Sequence, residues 1–209
     1  MEETRYVQRY SDADRMNHWA LVILFFCAAL SGLSMFHPSL FFLSTLFGGG
    51  PWTRILHPFI GVLVFLSFGG MYLRLARDNV WGADDRAWMA GIGAALWGRT
   101  HELPPAGRYN AGQKILFWWM ALCVAVLLVT GLVFWRPYFV GYFPIGLVRV
   151  ATLVHSLTAV GLILGIIGHI YAAIWVKGTT RAMTRGVVSE SWARRHHPHW
   201  VADVTQQKR

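Results

Sequence analysis

Charge is scarce in this chain. Only 14% of its 209 residues are Asp, Glu, Lys or Arg, where a soluble domain carries roughly a quarter. Cysteine is scarcer still. Cys27 and Cys123 each stand alone inside an apolar run, and neither a CxxC nor a CxxCH occurs. That excludes covalent haem attachment, an iron–sulfur cluster housed by this chain and a disulfide scaffold. What the chain has in excess is apolar: 55% of residues are hydrophobic and eleven are tryptophan. A soluble core of this length cannot absorb so much apolar surface, which leaves a membrane protein. The formal net charge of +9 then reads as loop orientation and not as a nucleic-acid surface, so no nucleic-acid partner is expected.

Four segments have membrane length, about residues 18–36, 55–75, 115–135 and 147–176. At 1.5 Å per residue each reaches across roughly 30 Å of hydrocarbon, and the last is long enough to tilt or protrude. Asp12 and Asp14 stand among the arginines before His18, and no small-residue cleavage site follows the first run, so a membrane helix is expected there in place of a signal peptide. Of the nineteen Lys and Arg, sixteen fall before the first span, from Arg74 at the end of span two to Lys114, or after span four. The positive-inside rule therefore puts both termini, the 77–113 loop and the 177–209 tail in the cytoplasm. Within that loop, Trp81, Trp88 and Trp97 suit either an interfacial helix or a solvated loop.

Histidine is where chemistry enters. His18, His57, His155 and His169 lie in or at the ends of the apolar runs, and an intramembrane histidine is a functional-site hypothesis. His155 and His169 are fourteen residues apart, which at 100° per residue puts them within about 40° of one helix face and about 21 Å apart along it. One falls in each leaflet. The predicted topology gives each a partner at its depth: His57 with His155 on the outer side, His18 with His169 on the inner. Two stacked bis-histidine sites in an all-α, four-transmembrane-helix bundle point to two b-type haems. Zinc would want Cys or carboxylate ligands at those depths, and the spans offer none. Gly61, Gly161, Gly165 and Gly168 are expected to leave room for a flat macrocycle. An internal echo also appears: Leu30-Ser31-Gly32-Leu33 and Val129-Thr130-Gly131-Leu132 are offset by 99 residues, and His57 and His155 by 98.

Several strings carry a resemblance. Arg54-Ile55-Leu56-His57-Pro58-Phe59, Tyr109-Asn110-Ala111-Gly112-Gln113-Lys114, Trp135-Arg136-Pro137-Tyr138-Phe139, Ala173-Ile174-Trp175-Val176-Lys177-Gly178 and His196-His197-Pro198 resemble the gamma (cytochrome b) subunit of bacterial membrane-bound formate dehydrogenases, across essentially the whole chain. The resemblance implies haem ligation by the four histidines, the bacterial inner membrane, and a complex with a periplasmic molybdenum or tungsten catalytic subunit and an iron–sulfur subunit. It also implies menaquinone reduction near the cytoplasmic face. Substrate dehydrogenation would then occur on a partner and not on this chain.

The residues themselves offer a quinone pocket. Asn110, Gly112 and Gln113 precede the third span on the cytoplasmic side, where amide groups can bind a carbonyl, glycine allows close approach, and His169 ties the pocket to the inner haem. A quinone taking two electrons also needs two protons, so polar groups with access to water belong there. Helix capping is the other role open to Asn110 and Gln113, and the two roles are compatible. His196, His197 and His199 read as a solvated tail. Two other classes stand beside the dehydrogenase subunit: a self-contained cytochrome b561-type di-haem oxidoreductase with a small soluble donor, and a purely structural anchor, which would leave the four histidines without a role.

Overall fold

The first helix starts on a cap and not on an apolar residue. Ser11 Oγ accepts the Asp14 N–H at 3.2 Å, while the Asp14 carboxylate accepts the Ser11 N–H and hydroxyl at 3.2 and 2.8 Å. With Asp12 and Asp14 in the positively polarised first turn, this reciprocal box starts α1 (Asp12–Phe36) ahead of the apolar run at His18. The computed structural model that shows this describes residues 5–97, 99 and 103–206. Residues 98 and 100–102 of the 77–113 loop and 207–209 of the tail lie outside the described residues.

Chain order among the described residues is β1 (Tyr6–Gln8), α1, a 3-10 segment (Pro38–Phe47), α2 (Gly50–Leu75), α3 (Ala83–Ala90), α4 (Ile92–Leu96), α5 (Ala111–Val133) and α6 (Ile145–Trp175). Then follow α7 (Thr179–Arg185), β2 (Val187–Ser189), α8 (Glu190–His196) and α9 (Pro198–Gln206). The second span also starts earlier than its apolar run. Gly48 and Gly49 hold φ of +85° and +91°, which glycine reaches without strain, and Thr53 Oγ1 donates to the Gly49 carbonyl at 2.9 Å. The 81–97 stretch is helical, as α3 and α4.

Helices α1, α2, α5 and α6 are long and apolar enough to cross a bilayer. In the most apolar window of each, only 11 to 22% of residues are buried by the chain itself. Leu73, Ile23 and Leu66 are among the large side chains that stay exposed. In water such surface would drive aggregation; in lipid it is the outer wall. The protein is an all-α, multi-pass membrane protein.

The chain forms two compact units. One comprises Met16–Leu73 and Trp119–Gly168. Its core draws on all four long helices: Leu21 and Phe25 from α1, Phe65 and Phe68 from α2, Cys123, Val124 and Leu127 from α5, and Leu162 and Ile166 from α6. A polar stitch joins the first two. Asn17 Nδ2 donates to the Ser67 carbonyl at 3.0 Å, and Ser67 Oγ donates back to Asn17 Oδ1 at 2.8 Å. In hydrocarbon such reciprocal pairs fix register, because no water competes for them.

The other unit comprises Met1–Arg15, Arg74–Trp118 and His169–Arg209. Here β1 pairs antiparallel with β2, Val7 facing Val188. Tyr10, Tyr109, Val188, Ala193, Trp200 and Val201 form its apolar core. Arg9 is buried in it, its guanidinium 4.8 to 5.9 Å from the ring centres of Tyr10, Tyr109, Trp192 and Trp200. Arg9 Nη2 donates to the Arg108 carbonyl at 2.6 Å, and Arg108 Nη2 donates to the Arg9 carbonyl at 2.9 Å. The solvated tail expected from the sequence is corrected at His197, which is 2% exposed. Its Nδ1–H donates to the Gly107 carbonyl at 2.8 Å, and its Nε2 accepts from Arg9 at 3.2 Å.

Burial, and then the Arg9 charge beside it, holds the His197 imidazole far below its usual value, at about 3. An unfolded tail would take up this proton near pH 6.5, whereas the folded one refuses it until about pH 3. Stability present above pH 6.5 is therefore lost as pH falls through that window, by about 1.4 kcal/mol per unit. Limited proteolysis of residues 187–206 is expected to speed up on acidification from neutral pH to about 5. His197→Gln, which cannot titrate, should flatten most of that rise.

Candidate functional site

Two of the four intramembrane histidines meet in the four-helix unit. His57 lies near the start of α2 and His155 in the first third of α6; their ring centres are 6.3 Å apart and their planes 72° from parallel. Each ring is seated by the helix that precedes its own. Ser31 on α1 is fully buried, and its Oγ lies 2.8 Å from His57 Nδ1. Thr130 on α5 places Oγ1 3.0 Å from His155 Nδ1. Both hydroxyls spend their one proton within their own helix, on the carbonyls of Cys27 and Val126, each at 2.6 Å. With Nδ1 protonated, each oxygen accepts from its ring alongside the Ala28 or Leu127 carbonyl, and Nε2 is left as a lone-pair donor.

Glycine makes the approach possible. A Cβ on Gly32 would lie 3.2 Å from His57 Cε1, and one on Gly131 would lie 3.4 Å from His155 Cε1. Phe134 meets the His155 ring edge-on at 5.1 Å. The sequence echo now has a physical content: each Ser/Thr-Gly pair is the seat of one histidine. These four seat residues were visible only as an echo of letters, because a hydroxyl's partner across a bundle cannot be read from helix spacing. Of the glycines expected to leave room, a Cβ on Gly61 or Gly168 would meet nothing within 4 Å beyond its own helix among the described residues, while one on Gly161 would lie 3.1 Å from the Trp119 ring.

His18, on α1, belongs to the same unit as His57, and His169 belongs to the other. His169 shares its unit with Asn110, Gly112 and Gln113. There Gln113 Oε1 accepts the Asn110 N–H, and Asn110 Oδ1 accepts the Gln113 N–H, both at 3.0 Å. Capping is therefore what these two side chains do in the structure, and it starts α5 at Ala111. The capping fixes which amide atom points where. Each oxygen accepts one backbone N–H, and the NH₂ groups have no partner among the described residues. The Trp88 ring lies over Gly112, 3.2 Å from where a Cβ would stand. Lys114 Nζ pairs with the Asp85 carboxylate at 2.8 Å, both side chains largely buried.

The prokaryotic cytochrome b561 family model matches residues 9–186. This chain belongs to that family. It is 42% identical over 204 residues to the cytochrome b556 subunit of the nitrate-inducible formate dehydrogenase of Escherichia coli (strain K12), covering 98% of this chain and 94% of the relative. A second formate dehydrogenase cytochrome b556 subunit of the same strain is 43% identical over 198 residues, 95% and 93% of the two chains. The formate dehydrogenase cytochrome b556 subunit of Haemophilus influenzae (strain ATCC 51907 / DSM 11121 / KW20 / Rd) is 39% identical over 206 residues, 99% and 86%. Membership of a cytochrome b561 family implies b-type haem.

The His57–His155 pair fits such a group. Ring centres 6.3 Å apart are close enough for the two imidazoles to hold one metal between them. For this cytochrome b561 family member, Gly32→Ala should displace the His57 ring by a few tenths of an ångström and reduce bound haem. Gly131→Ala, at an ordinary contact distance, should be milder. Pyridine haemochrome content per chain checks the order of the two effects.

Proposed function

We propose that this chain is the membrane cytochrome b subunit of a respiratory formate dehydrogenase in a bacterial inner membrane. It would anchor an iron–sulfur subunit and a molybdenum or tungsten catalytic subunit on the periplasmic side and reduce menaquinone near the cytoplasmic side. The observation that carries the reading is the seating of His57 and His155, whose Nδ1–H groups are held and whose Nε2 atoms are left for iron. The names of the formate dehydrogenase relatives support the complex. When bound, two b haems would supply a one-electron relay between the two faces. The second would be held by His18 and His169, a pairing that rests on their positions in the sequence and on the positive-inside topology.

The chain's own groups suit quinone reduction. A quinone carbonyl needs donors, and the capping of α5 leaves Asn110 Nδ2 and Gln113 Nε2 to donate. Protons have a route from water. A cleft of about 390 Å³ beside this turn is lined by Asp78, Arg108, Tyr109, Lys114, Trp200 and Asp203. Its polar lining, in which Arg108 Nη1 donates to the Asp78 carboxylate at 3.0 Å, offers water a path towards the reduced quinone.

Gentle solubilisation tests the assignment. The chain should co-purify with iron–sulfur and molybdenum or tungsten signals and with two haems. A chain that purifies alone, fully haem-loaded and active with a small donor, would instead be the self-contained oxidoreductase. His57→Ala or His155→Ala should remove one haem, and His18→Ala or His169→Ala the other, each read as half the haemochrome signal. If His57→Ala and His18→Ala erased the same spectral component, the pairing would be wrong.

Gln113→Glu separates capping from quinone binding, since glutamate keeps the capping oxygen while an acceptor-only carboxylate replaces the amide donor. Haem content and haem reduction should hold while quinone reduction slows about tenfold, the worth of one hydrogen bond of about 1.4 kcal/mol. An unchanged rate would leave Gln113 a helix cap alone.

A further inference from the structure

A hydroxyl on a membrane helix can satisfy itself by donating to a carbonyl one turn back, and most need no further partner. Among the described residues Ser156 and Thr152 on α6 do only this. Ser31 and Thr130 do it and also present their oxygen to a histidine on another helix. The arrangement is built twice, at positions 99 residues apart, against two histidines that face each other across 6.3 Å.

We propose that Ser31 and Thr130 are positioning residues that set the redox potential of the haem held between His57 and His155. The proposal rests on those two histidines being its axial ligands. A metal-bound imidazole whose Nδ1–H is held by an acceptor is a stronger electron donor, and the same bond fixes the ring's tautomer and rotation. Stronger donation favours ferric over ferrous iron. One electron enters on reduction, and the Nδ1 proton stays on its ring in both states, so no proton accompanies the change. With the Ser31 hydroxyl proton on the Cys27 carbonyl, its oxygen is available to accept from His57, and Thr130 stands the same way on Val126 towards His155. Both axial ligands are therefore strengthened together. Gly32 and Gly131 keep the rings close enough for the bonds to form.

The test is a spectroelectrochemical titration of the full complex in detergent, with low-spin EPR on the same samples. Ser31→Ala and Thr130→Val each remove the acceptor at near-constant volume. Each is expected to shift the ferric-to-ferrous preference of this haem about tenfold towards ferrous, a rise in midpoint of about 59 mV. The double variant should move further in the same direction. The EPR g-anisotropy of this haem should change as the rings are freed to turn, while the other haem keeps its wild-type potential. Ser31→Thr and Thr130→Ser, which retain the hydroxyl, should restore both readouts. Should Ser31→Ala shed haem, Ser31→Cys, a weaker acceptor in the same place, should give a smaller rise in what remains bound.

Haem-replete alanine and valine variants with unchanged potential and unchanged EPR would overturn the proposal. The carbonyls of Ala28 and Leu127, which also interact with the two rings, would then be the groups that hold them. A shed haem whose residual potential does not move in Ser31→Cys would overturn it too. His57→Ala reports on the ligand assignment separately. If both haems survive that substitution, the ligand reading falls whatever Ser31 does; if one is lost and Ser31→Ala is silent, only the present proposal falls.

Discussion

An imidazole in hydrocarbon has two nitrogens to account for, and only one can face a metal. Water is not there to take the other, and an unsatisfied N–H costs on the order of 1 to 3 kcal/mol. The hydroxyl oxygens of Ser31 and Thr130 meet that requirement for His57 and His155. Much of the four-helix unit follows from this. Helices α1 and α5 must come close enough for a short side chain to reach the next helix, so glycine stands next to each hydroxyl residue and no Cβ intervenes. Below that level the helices pack through Phe65, Phe68, Cys123 and Leu162, and Asn17 with Ser67 fixes the register of the first pair.

The other unit solves a different problem, a buried cation. Arg9 has no carboxylate partner among the described residues; ring faces, the Arg108 carbonyl and a neutral imidazole surround it. Quadrupoles and carbonyl dipoles replace part of its hydration, and His197 must stay neutral for the arrangement to hold. The same contacts fasten the 107–110 turn, because Gly107 takes the His197 N–H and the Arg108 carbonyl takes Arg9. That turn runs directly into the Asn110–Gln113 cap. The N-terminal strand and the tail thereby brace the start of α5.

The four long helices were legible in the sequence because hydrocarbon selects for apolar runs, and length alone sorts spans from core helices. Their starts were not, since polar residues begin them: Ser11 with Asp14, the glycine turn at 48–49, and Asn110 with Gln113 all lie ahead of the runs. The 100° step per residue placed His155 and His169 on one face of α6, which is local geometry. It could not place Ser31 against His57, which depends on how two helices are rotated about their own axes. His197 was misread for a related reason. A short, polar, histidine-rich tail looks solvated until β1 and β2 pair and bring Arg9 and the aromatic rings to it.

The scarcity of charge that marks the composition also bears on energy conversion. From residues 18–36, 55–73, 115–133 and 150–175 there is no Asp, Glu, Lys or Arg. On the proposed reading an electron crosses this region between neutral ligands, and no carboxylate chain runs alongside to carry a proton with it. On the same reading, protons enter from water where the quinone is reduced. Electron and proton would then reach the quinone from opposite sides, which keeps charge separation from being short-circuited. Each electron moved inward against 100 mV stores about 2.3 kcal/mol. A carboxylate introduced at mid-span would threaten this twice, through the cost of burying it and through the proton leak it would open.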